Sequence, residues 1–372
     1  MKTINKALLI IISAVMLSCT DNNDMLTVIN KDGSCYREFT ANVDSAFMVG
    51  DKSDDNNPFP VEIDSNWKTA WKHSDGEIQT EFPISSDKYN ELKNSSTNSI
   101  GFLASIRRDY ESIDEMSRLF KLKTSHKWAN MDIKYDFRKS FRWFYTYYAY
   151  SETYPKIEHT FNSLENYMTK DEVQFWFTGK PDLLKGMNGL EVEEYITHLD
   201  EGYNKWLLQN YWNSMYEVLI KNFDELRLSV TKNEFITVRD SLFDKNFAKI
   251  NNGELQMPEC IDNHFKTNQI SLFWKEENGL TKEAADFFVE QDFVRPLEQS
   301  FTYKLILPGE ILEADNAVAK NDTLIWTLTA YRLYYDDYTI EAKSRVINYW
   351  AFIITGLIVL IALFSLFYKP KK

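Results

Sequence analysis

Residues 26–44, LTVINKDGSCYREFTANVD, contain two β-prone runs on either side of Asp32-Gly33. An Asp-Gly pair between such runs is a strong signal for a β-hairpin, because a type I′ turn needs positive φ angles that Asp and Gly tolerate. We therefore expect the folded body of the chain to begin with a hairpin.

Strand patterns return near the other end of the chain. Residues 301–307, FTYKLIL, alternate in polarity until Pro308-Gly309 breaks the run, and Asn321-Asp322 turns the chain into 323–329, TLIWTLT. A last strand is predicted over residues 338–345. Strands are thus expected at both ends of the body.

The part of the chain between these ends shows one further strand pattern and a long helical pattern of apolar residues. Residues 133–150 read as one long strand with aromatic residues on both faces, which is typical of a strand covered on both sides. Residues 158–297 have a helical period, and the best pattern runs over 191–226. Capping boxes are predicted at Ser112/Glu115, Thr169/Glu172 and Thr231/Glu234.

The N-terminal segment MKTINKALLIIISAVMLSC has Lys2 and Lys6 before an apolar run too short to span a membrane. Its end, residues 16–19, resembles the lipobox of bacterial lipoproteins. That resemblance implies removal of residues 1–18 and acylation of Cys19 by a fatty acid such as palmitate. An ordinary signal peptide and an uncleaved anchor are the alternatives.

The C-terminal segment has the length and composition of a membrane-spanning helix. Residues 349–368, YWAFIITGLIVLIALFSLFY, carry no charge, and a span of roughly 30 Å needs about this length. Aromatic residues lie at both of its boundaries, and three lysines follow at positions 369, 371 and 372. The positive-inside rule then places the C-terminus in the cytoplasm and the body on the extracytoplasmic side of the cytoplasmic membrane.

These patterns predict an α+β fold with a discontinuous antiparallel β module, formed by the N- and C-terminal parts of the chain and interrupted by a large α-helical insertion. The predicted segments are a signal peptide (1–18), a lipidated acidic spacer (19–25), the N-terminal part of the β-rich module (26–157), the helical insertion (158–297), the C-terminal part of that module (298–345), a transmembrane helix (346–368) and a cytoplasmic basic tail (369–372).

Residues 303–329, YKLILPGEILEADNAVAKNDTLIWTLT, followed by an apolar helix, resemble the membrane-proximal region of LppM-like bacterial lipoproteins. The early hairpin is similar to the start of such domains, whereas the helical part departs from them. The resemblance implies the architecture and carries no catalytic signature. The matching positions are Leu307, Pro308, Gly309, Asn316, Ala317 and Trp326.

The composition excludes several classes of protein. The chain has 42 basic and 55 acidic residues and a net charge of -13, which argues against a nucleic-acid-binding protein. Three cysteines exclude a disulfide scaffold and a cysteine-rich zinc module. An extracytoplasmic compartment permits a disulfide between Cys35 and Cys260, but nothing in the sequence shows that they are close.

No catalytic motif is present: we find no Gly-x-Ser-x-Gly, no phosphate-binding glycine loop, no His-Glu-x-x-His and no Cys-x-x-Cys. Glu194 and His198 share one helix face at a spacing that two metal ligands can have, but no third ligand is signalled, and a solvated face is the favoured interpretation. The sequence thus predicts no catalytic residue, no metal and no cofactor.

The favoured interpretation is a non-enzymatic, membrane-anchored lipoprotein that binds or scaffolds an envelope component, which is a lipid, a glycan or a protein. The alternatives are an envelope hydrolase or transferase that uses dispersed carboxylates in the helical region, and an accessory subunit of a membrane complex. Aromatic residues at 141–150 and at Tyr331, Tyr334 and Tyr335 could contact lipid or glycan, although core packing is favoured.

Overall fold

The computed structural model describes residues 23–53, 56–73, 76–95, 101–123, 129, 131–158, 161–274, 282–291, 293–294 and 300–367. The predicted signal peptide, the acylation of Cys19 and the basic tail lie outside these residues.

The described residues form eleven strands and twelve α-helices, so the predicted α+β class is confirmed. The strands are β1 (Asn23–Ile29), β2 (Cys35–Val43), β3 (Lys68–His73), β4 (Phe102–Tyr110), β5 (Lys134–Phe141), β6 (Tyr145–Tyr154), β7 (Ser300–Ile306), β8 (Glu310–Ala314), β9 (Val318–Lys320), β10 (Thr323–Thr329) and β11 (Tyr338–Ile347). The helices are α1 (Ser45–Met48), α2 (Ser86–Ser95), α3 (Ile113–Leu119), α4 (Lys170–Thr178), α5 (Gly189–Lys221), α6 (Lys232–Thr237), α7 (Arg239–Asn251), α8 (Met257–Phe265), α9 (Gln269–Trp274), α10 (Lys282–Val289), α11 (Ala330–Leu333) and α12 (Tyr349–Phe367).

The chain divides into two compact units. We call Asp21–Pro155, Ser300–Thr329 and Asp337–Lys372 the β unit, and Lys156–Gln299 with Ala330–Asp336 the helical unit. Residues 330–336, which the sequence placed within the C-terminal β segment, therefore belong to the helical unit. They contain the short helix α11, which lies between β10 and β11.

The β unit contains two sheets, and each combines strands from the N- and C-terminal parts of the chain. The first sheet has the order β3-β4-β2-β1-β7-β10-β9 and the second has the order β5-β6-β11-β8. The prediction of a purely antiparallel module is wrong at one pair, because β1 and β7 run parallel, with Met25 opposite Tyr303. A parallel pair needs a long crossover connection, and the helical insertion provides one.

The first hairpin, β1–β2, is present, but its predicted type I′ turn is wrong. Its loop has three residues, 31–33: Asn30 N–H donates to Ser34 O (2.8 Å), Gly33 N–H donates to Asn30 O (3.0 Å), and Gly33 has a φ of 104°. This pattern is a type I turn followed by a glycine bulge. The Asp32 carboxylate accepts from the backbone N–H and the hydroxyl of Ser34, which holds this wider loop.

The single strand predicted over 133–150 is instead a second hairpin. Arg142 and Tyr145 exchange two backbone hydrogen bonds (2.7 and 3.1 Å), and only Trp143 and Phe144 lie between them. Burial alternates along β6, whereas most of β5 is exposed, so the prediction of a strand covered on both sides is also wrong. The turn has no Gly, Asn, Asp or Pro, which is why the pattern did not reveal it.

The helical unit is built around α5, a helix of 33 residues. The capping boxes predicted at Thr169/Glu172 and Thr231/Glu234 are confirmed, and α4 ends as expected at Gly179, which has a φ of 71°. The core of the unit is rich in aromatic side chains from α5, α6 and α7, which include Trp206, Trp212, Tyr216, Phe235 and Phe243.

The apolar C-terminal segment is helical, as α12. Within the described residues, no helix combines the length and the apolar character needed to cross a membrane. The predicted transmembrane helix, residues 346–368, is therefore not supported. The 19 residues of α12 rise about 28 Å, just below the roughly 30 Å of a hydrocarbon core, and residue 368 lies outside the described residues.

Candidate functional site

The side chains of β2 alternate between the interior of the β unit and its surface, as a pleated strand requires. Arg37 points inward and is fully buried, whereas Glu38 is only partly buried and points outward. The structure thus gives two adjacent residues two different roles. Arg37 belongs to a buried polar cluster between the sheets, and Glu38 lines a surface cleft.

In the buried cluster, Arg37 of the first sheet pairs with Glu152 of the second. Arg37 Nη2 donates to Glu152 Oε2 at 2.7 Å and to Thr27 Oγ1 at 3.1 Å. Its Nε donates to Thr27 Oγ1 and its Nη1 to Tyr135 Oη, both at 3.2 Å. The guanidinium also lies over the ring of Phe120, 4.5 Å from its centroid.

Three tyrosine hydroxyls saturate the Glu152 carboxylate, and they come from β6 and β7. The hydroxyls of Tyr150, Tyr154 and Tyr303 donate to the carboxylate at 2.7, 2.6 and 2.7 Å. With Arg37 they occupy both carboxylate oxygens, so the cluster is closed and offers no free group to a substrate. We therefore regard it as a structural element that joins the two sheets.

The candidate site is a cleft of about 630 Å³ at the β3 edge of the first sheet. This volume suits a ligand of the size of a small oligosaccharide or peptide. Its lining combines charged groups (Glu38, Lys52, Asp64, Lys68 and Arg107), hydroxyls (Ser65, Thr69, Thr80 and Ser105) and the rings of Trp67 and Phe82.

Two of the cations in the cleft are held by one carboxylate outside it. Asp109 accepts from Lys68 Nζ (2.7 Å) and from Arg107 Nε and Nη2 (2.9 and 2.6 Å). The hydrogen bond from Lys68, followed by those from Arg107, holds the pKa of Asp109 below its usual value. Arg107 also stacks on Tyr36, 3.5 Å from the ring centroid, so both cations already have partners within the β unit.

Two other charged groups of the cleft, Glu38 and Lys52, have no ion-pair or hydrogen-bond partner among the residues that the structure describes. Burial raises the pKa of Glu38, and the charge of Arg107 partly opposes this shift. The Lys52 ammonium lies 5.6 Å from the centroid of the Phe82 ring. The cleft thus offers a carboxylate and an ammonium to a ligand, beside hydroxyls and two rings.

The cysteines that the sequence singled out are both buried free thiols, so the disulfide considered between Cys35 and Cys260 is not formed. Cys35 begins β2 in the β unit, and Cys260 lies in α8 of the helical unit. Burial raises the pKa of each thiol to about 12. Both thiols are therefore protonated and unreactive at neutral pH.

The spacing of Glu194 and His198 does not assemble a metal site. His198 Nε2 instead lies 3.4 Å from Glu172 Oε1, the carboxylate of the α4 capping box. No group of three or more potential ligands of the His, Cys, Asp and Glu types occurs among the described residues.

The tyrosine cluster that the sequence indicated belongs to the helical unit. Tyr334 is buried, and its hydroxyl donates to Phe293 O. Tyr335 stacks on Phe177 with ring centroids 5.0 Å apart. Core packing, the interpretation favoured from the sequence, accounts for the position of Tyr334.

Sequence reasoning missed the cleft. Its residues come from β2, β3, β4 and the loops before and after β3, and no local pattern marks them as one site. The alternation in β2 could have placed Glu38 on an outer face, but its neighbours across the sheet depend on strand order. A comparison with known proteins adds no further guide: the chain matches no protein-family model, no curated protein and no solved structure.

Proposed function

We propose that this protein is a membrane-attached binding protein of the cell envelope. Helix α12 lies in the lipid of the cytoplasmic membrane, and the β unit presents its cleft to a polar envelope component on the extracytoplasmic side. The observation that carries the binding role is the presence in one cleft of two charged groups, Glu38 and Lys52, that have no ion-pair or hydrogen-bond partner among the described residues.

The surface of α12 supports attachment to lipid. Large apolar side chains are exposed around the helix, as with Ile353 (64%), Ile358 (58%), Val359 (50%) and Leu363 (47%). Such a continuous apolar surface is unfavourable in water and marks a membrane or protein contact. Because α12 is slightly shorter than a hydrocarbon core, local thinning of the bilayer would accommodate it.

The two ends of the sequence add an orientation and a second attachment to this proposal. Lys369, Lys371 and Lys372 favour the cytoplasmic side for the C-terminus. Acylation of Cys19 would hold the N-terminal end at the same membrane. A single acyl chain binds only reversibly, so α12 supplies most of the attachment.

The chemistry of the cleft favours a hydroxyl-rich ligand that carries an amine and a carboxylate. The hydroxyls of Thr69 and Ser105 can exchange hydrogen bonds with a sugar, whereas Glu38 and Lys52 can pair with opposite charges on a ligand. Disaccharide-peptide fragments of peptidoglycan combine these groups. They are accordingly the probe that we choose.

The test is a calorimetric titration of the full chain in detergent with purified disaccharide-peptides. We expect Glu38→Gln and Lys52→Met each to weaken binding at least about tenfold, because each removes a charge-assisted contact. Glu313→Gln, a change in β8 outside the cleft, is the matched control and should bind as the unaltered chain does. Absence of binding, or equal binding by all four proteins, would refute this assignment of the cleft.

A further inference from the structure

The tip of the β5–β6 hairpin packs against the beginning of α12. We define the hairpin tip as residues 141–144. The ring of Phe141 is parallel to that of Trp350, with centroids 6.2 Å apart, and Trp143 meets Trp350 edge-on at 5.3 Å. The rings of Phe144 and Phe352 have their centroids 4.5 Å apart. The tip and the first turns of α12 thus form one aromatic surface.

Hydrogen bonds from Asn348 satisfy three of the four backbone carbonyls of the hairpin tip. Its side-chain amide donates to the carbonyl oxygens of Arg142 (2.9 Å) and Trp143 (3.3 Å), and its backbone N–H donates to that of Phe144 (2.9 Å). Non-helical backbone tolerates an apolar surrounding only when its polar groups are paired within the protein. The carbonyls of Arg142, Trp143 and Phe144 meet that condition.

The polar atom of the Trp143 side chain is also paired within the protein. Its indole N–H donates to Thr355 Oγ1 at 2.8 Å. Thr355 lies six residues after Tyr349, which is about 9 Å along the helix axis. The tip therefore extends beside α12 to a level at which the helix surface is already apolar, and it has no unpaired indole N–H there.

The same side chains are exposed to solvent in the isolated chain. Phe141 is 58% exposed, Trp143 45% and Trp350 47%. This patch continues directly into the exposed apolar surface of α12. Arg142 is exposed between the two aromatic neighbours, and its side chain has no ion-pair or hydrogen-bond partner among the described residues.

We propose that the hairpin tip enters the interface of the lipid bilayer together with the first two turns of α12. Trp143 and Trp350 would lie at the headgroup level, where amphipathic rings are favoured, and Arg142 would reach lipid phosphate. This inference rests on the proposed attachment of α12 to lipid. It adds a second contact, which fixes the orientation of the β unit relative to the membrane.

The test uses nitroxide labels on the full chain, carrying Cys19→Ala, in vesicles of phosphatidylcholine and phosphatidylglycerol. One label is placed at the tip (Arg142→Cys) and one on the helix (Leu357→Cys). The matched control is Lys134→Cys, an exposed position at the end of β5 that lies farthest from the hairpin tip. Electron paramagnetic resonance compares the collision rates of each label with oxygen, which partitions into lipid, and with a water-soluble nickel complex.

We expect the ratio of oxygen to nickel collisions to be severalfold higher at positions 142 and 357 than at 134. A high ratio at 357 together with a ratio at 142 as low as that at 134 would overturn this inference and leave the proposed attachment of α12 intact. Ratios at 142 and 357 that are both as low as the ratio at 134 would overturn both proposals. A label at 142 that is immobilised and reached by neither agent would indicate a protein partner at the tip, and would also overturn the inference.

Discussion

Arg37 Nη2 lies 2.7 Å from Glu152 Oε2, and both side chains are completely buried between the two sheets of the β unit. The pair joins β2 of the first sheet to β6 of the second, which are 115 residues apart in sequence. Two charges are stable in such a place only when each is also hydrogen-bonded to neighbouring groups. Here Thr27, Tyr135 and the three tyrosines around Glu152 supply those bonds.

The first prediction concerns this pair. Glu152→Gln removes the negative charge and leaves the Arg37 guanidinium buried without a counter-ion. We expect the free energy of unfolding of the β unit to fall by about 3–5 kcal/mol, as measured by urea denaturation of the full chain in detergent. The control is Arg138→Met, which breaks the exposed pair with Asp136 and should cost at most about 1 kcal/mol. Similar losses for the two variants would contradict the role of the buried pair.

The second prediction is an alkaline loss of stability. Burial, followed by the charge of Glu152, raises the pKa of Tyr150, Tyr154 and Tyr303 well above the usual value of about 10. Below pH 10 these tyrosines are protonated in both the folded and the unfolded chain, so they add no pH dependence there. Above about pH 10 the unfolded chain loses their protons and the folded chain keeps them, so the free energy of unfolding falls.

Denaturation at a series of pH values above about 10 gives the slope of the free energy of unfolding against pH. Tyr303→Phe should reduce the slope of the free energy of unfolding against pH by about one proton, because the proton that Tyr303 retains in the folded chain is gone. An unchanged slope in that variant would show that Tyr303 ionises equally in both states.

The third prediction concerns the thiols. Because Cys35 and Cys260 are buried and unpaired, their reaction with iodoacetamide should be slow in the folded chain and fast in denaturant. Mass spectrometry of both residues after each treatment gives the readout. A mass lower by two hydrogens before reduction would reveal a disulfide and contradict the structure.

The fourth prediction concerns Gly309, which follows Pro308 between β7 and β8. It has a φ of 83°, and a Cβ at this position would lie 2.1 Å from Arg345 O, a backbone atom of β11. We expect Gly309→Ala to destabilise the β unit by several kcal/mol, because it adds a steric clash to the cost of a left-handed backbone.

Gly186→Ala is the matched control for this substitution. Gly186 has a similar φ of 87°, but a Cβ there has no atom within 4 Å. Gly186→Ala should lower the free energy of unfolding only by the cost of a left-handed backbone at a non-glycine residue, about 1–2 kcal/mol. Thermal unfolding of both variants makes the comparison, and an equal effect would mean that the approach of β11 to Gly309 is unimportant.

Local chemistry made part of the fold predictable. Thr169 and Thr231 each stand three residues before a glutamate, and that spacing alone specifies two reciprocal hydrogen bonds at a helix start. The Asp32-Gly33 signal likewise located the first hairpin. It did not give the loop length, because Asp32 is engaged by Ser34 within the turn.

Features that depend on distant residues were not predictable. The parallel pairing of β1 with β7 and the contact of Arg37 with Glu152 join parts of the chain that no local pattern relates. The turn at Trp143 and Phe144 has no turn-forming residue. It is held from outside by Asn348, which no local pattern relates to this turn.

The attachment of α12 to lipid is the central claim. Its most direct test is alkaline carbonate extraction of membranes from cells that produce residues 20–372 behind an unrelated, cleavable signal peptide, which removes both Cys19 and the apolar run of residues 1–18. We predict that this protein stays in the membrane pellet, whereas the same protein ending at Ile347 is released. Release of the 20–372 protein by carbonate would contradict the claim that α12 lies in the membrane.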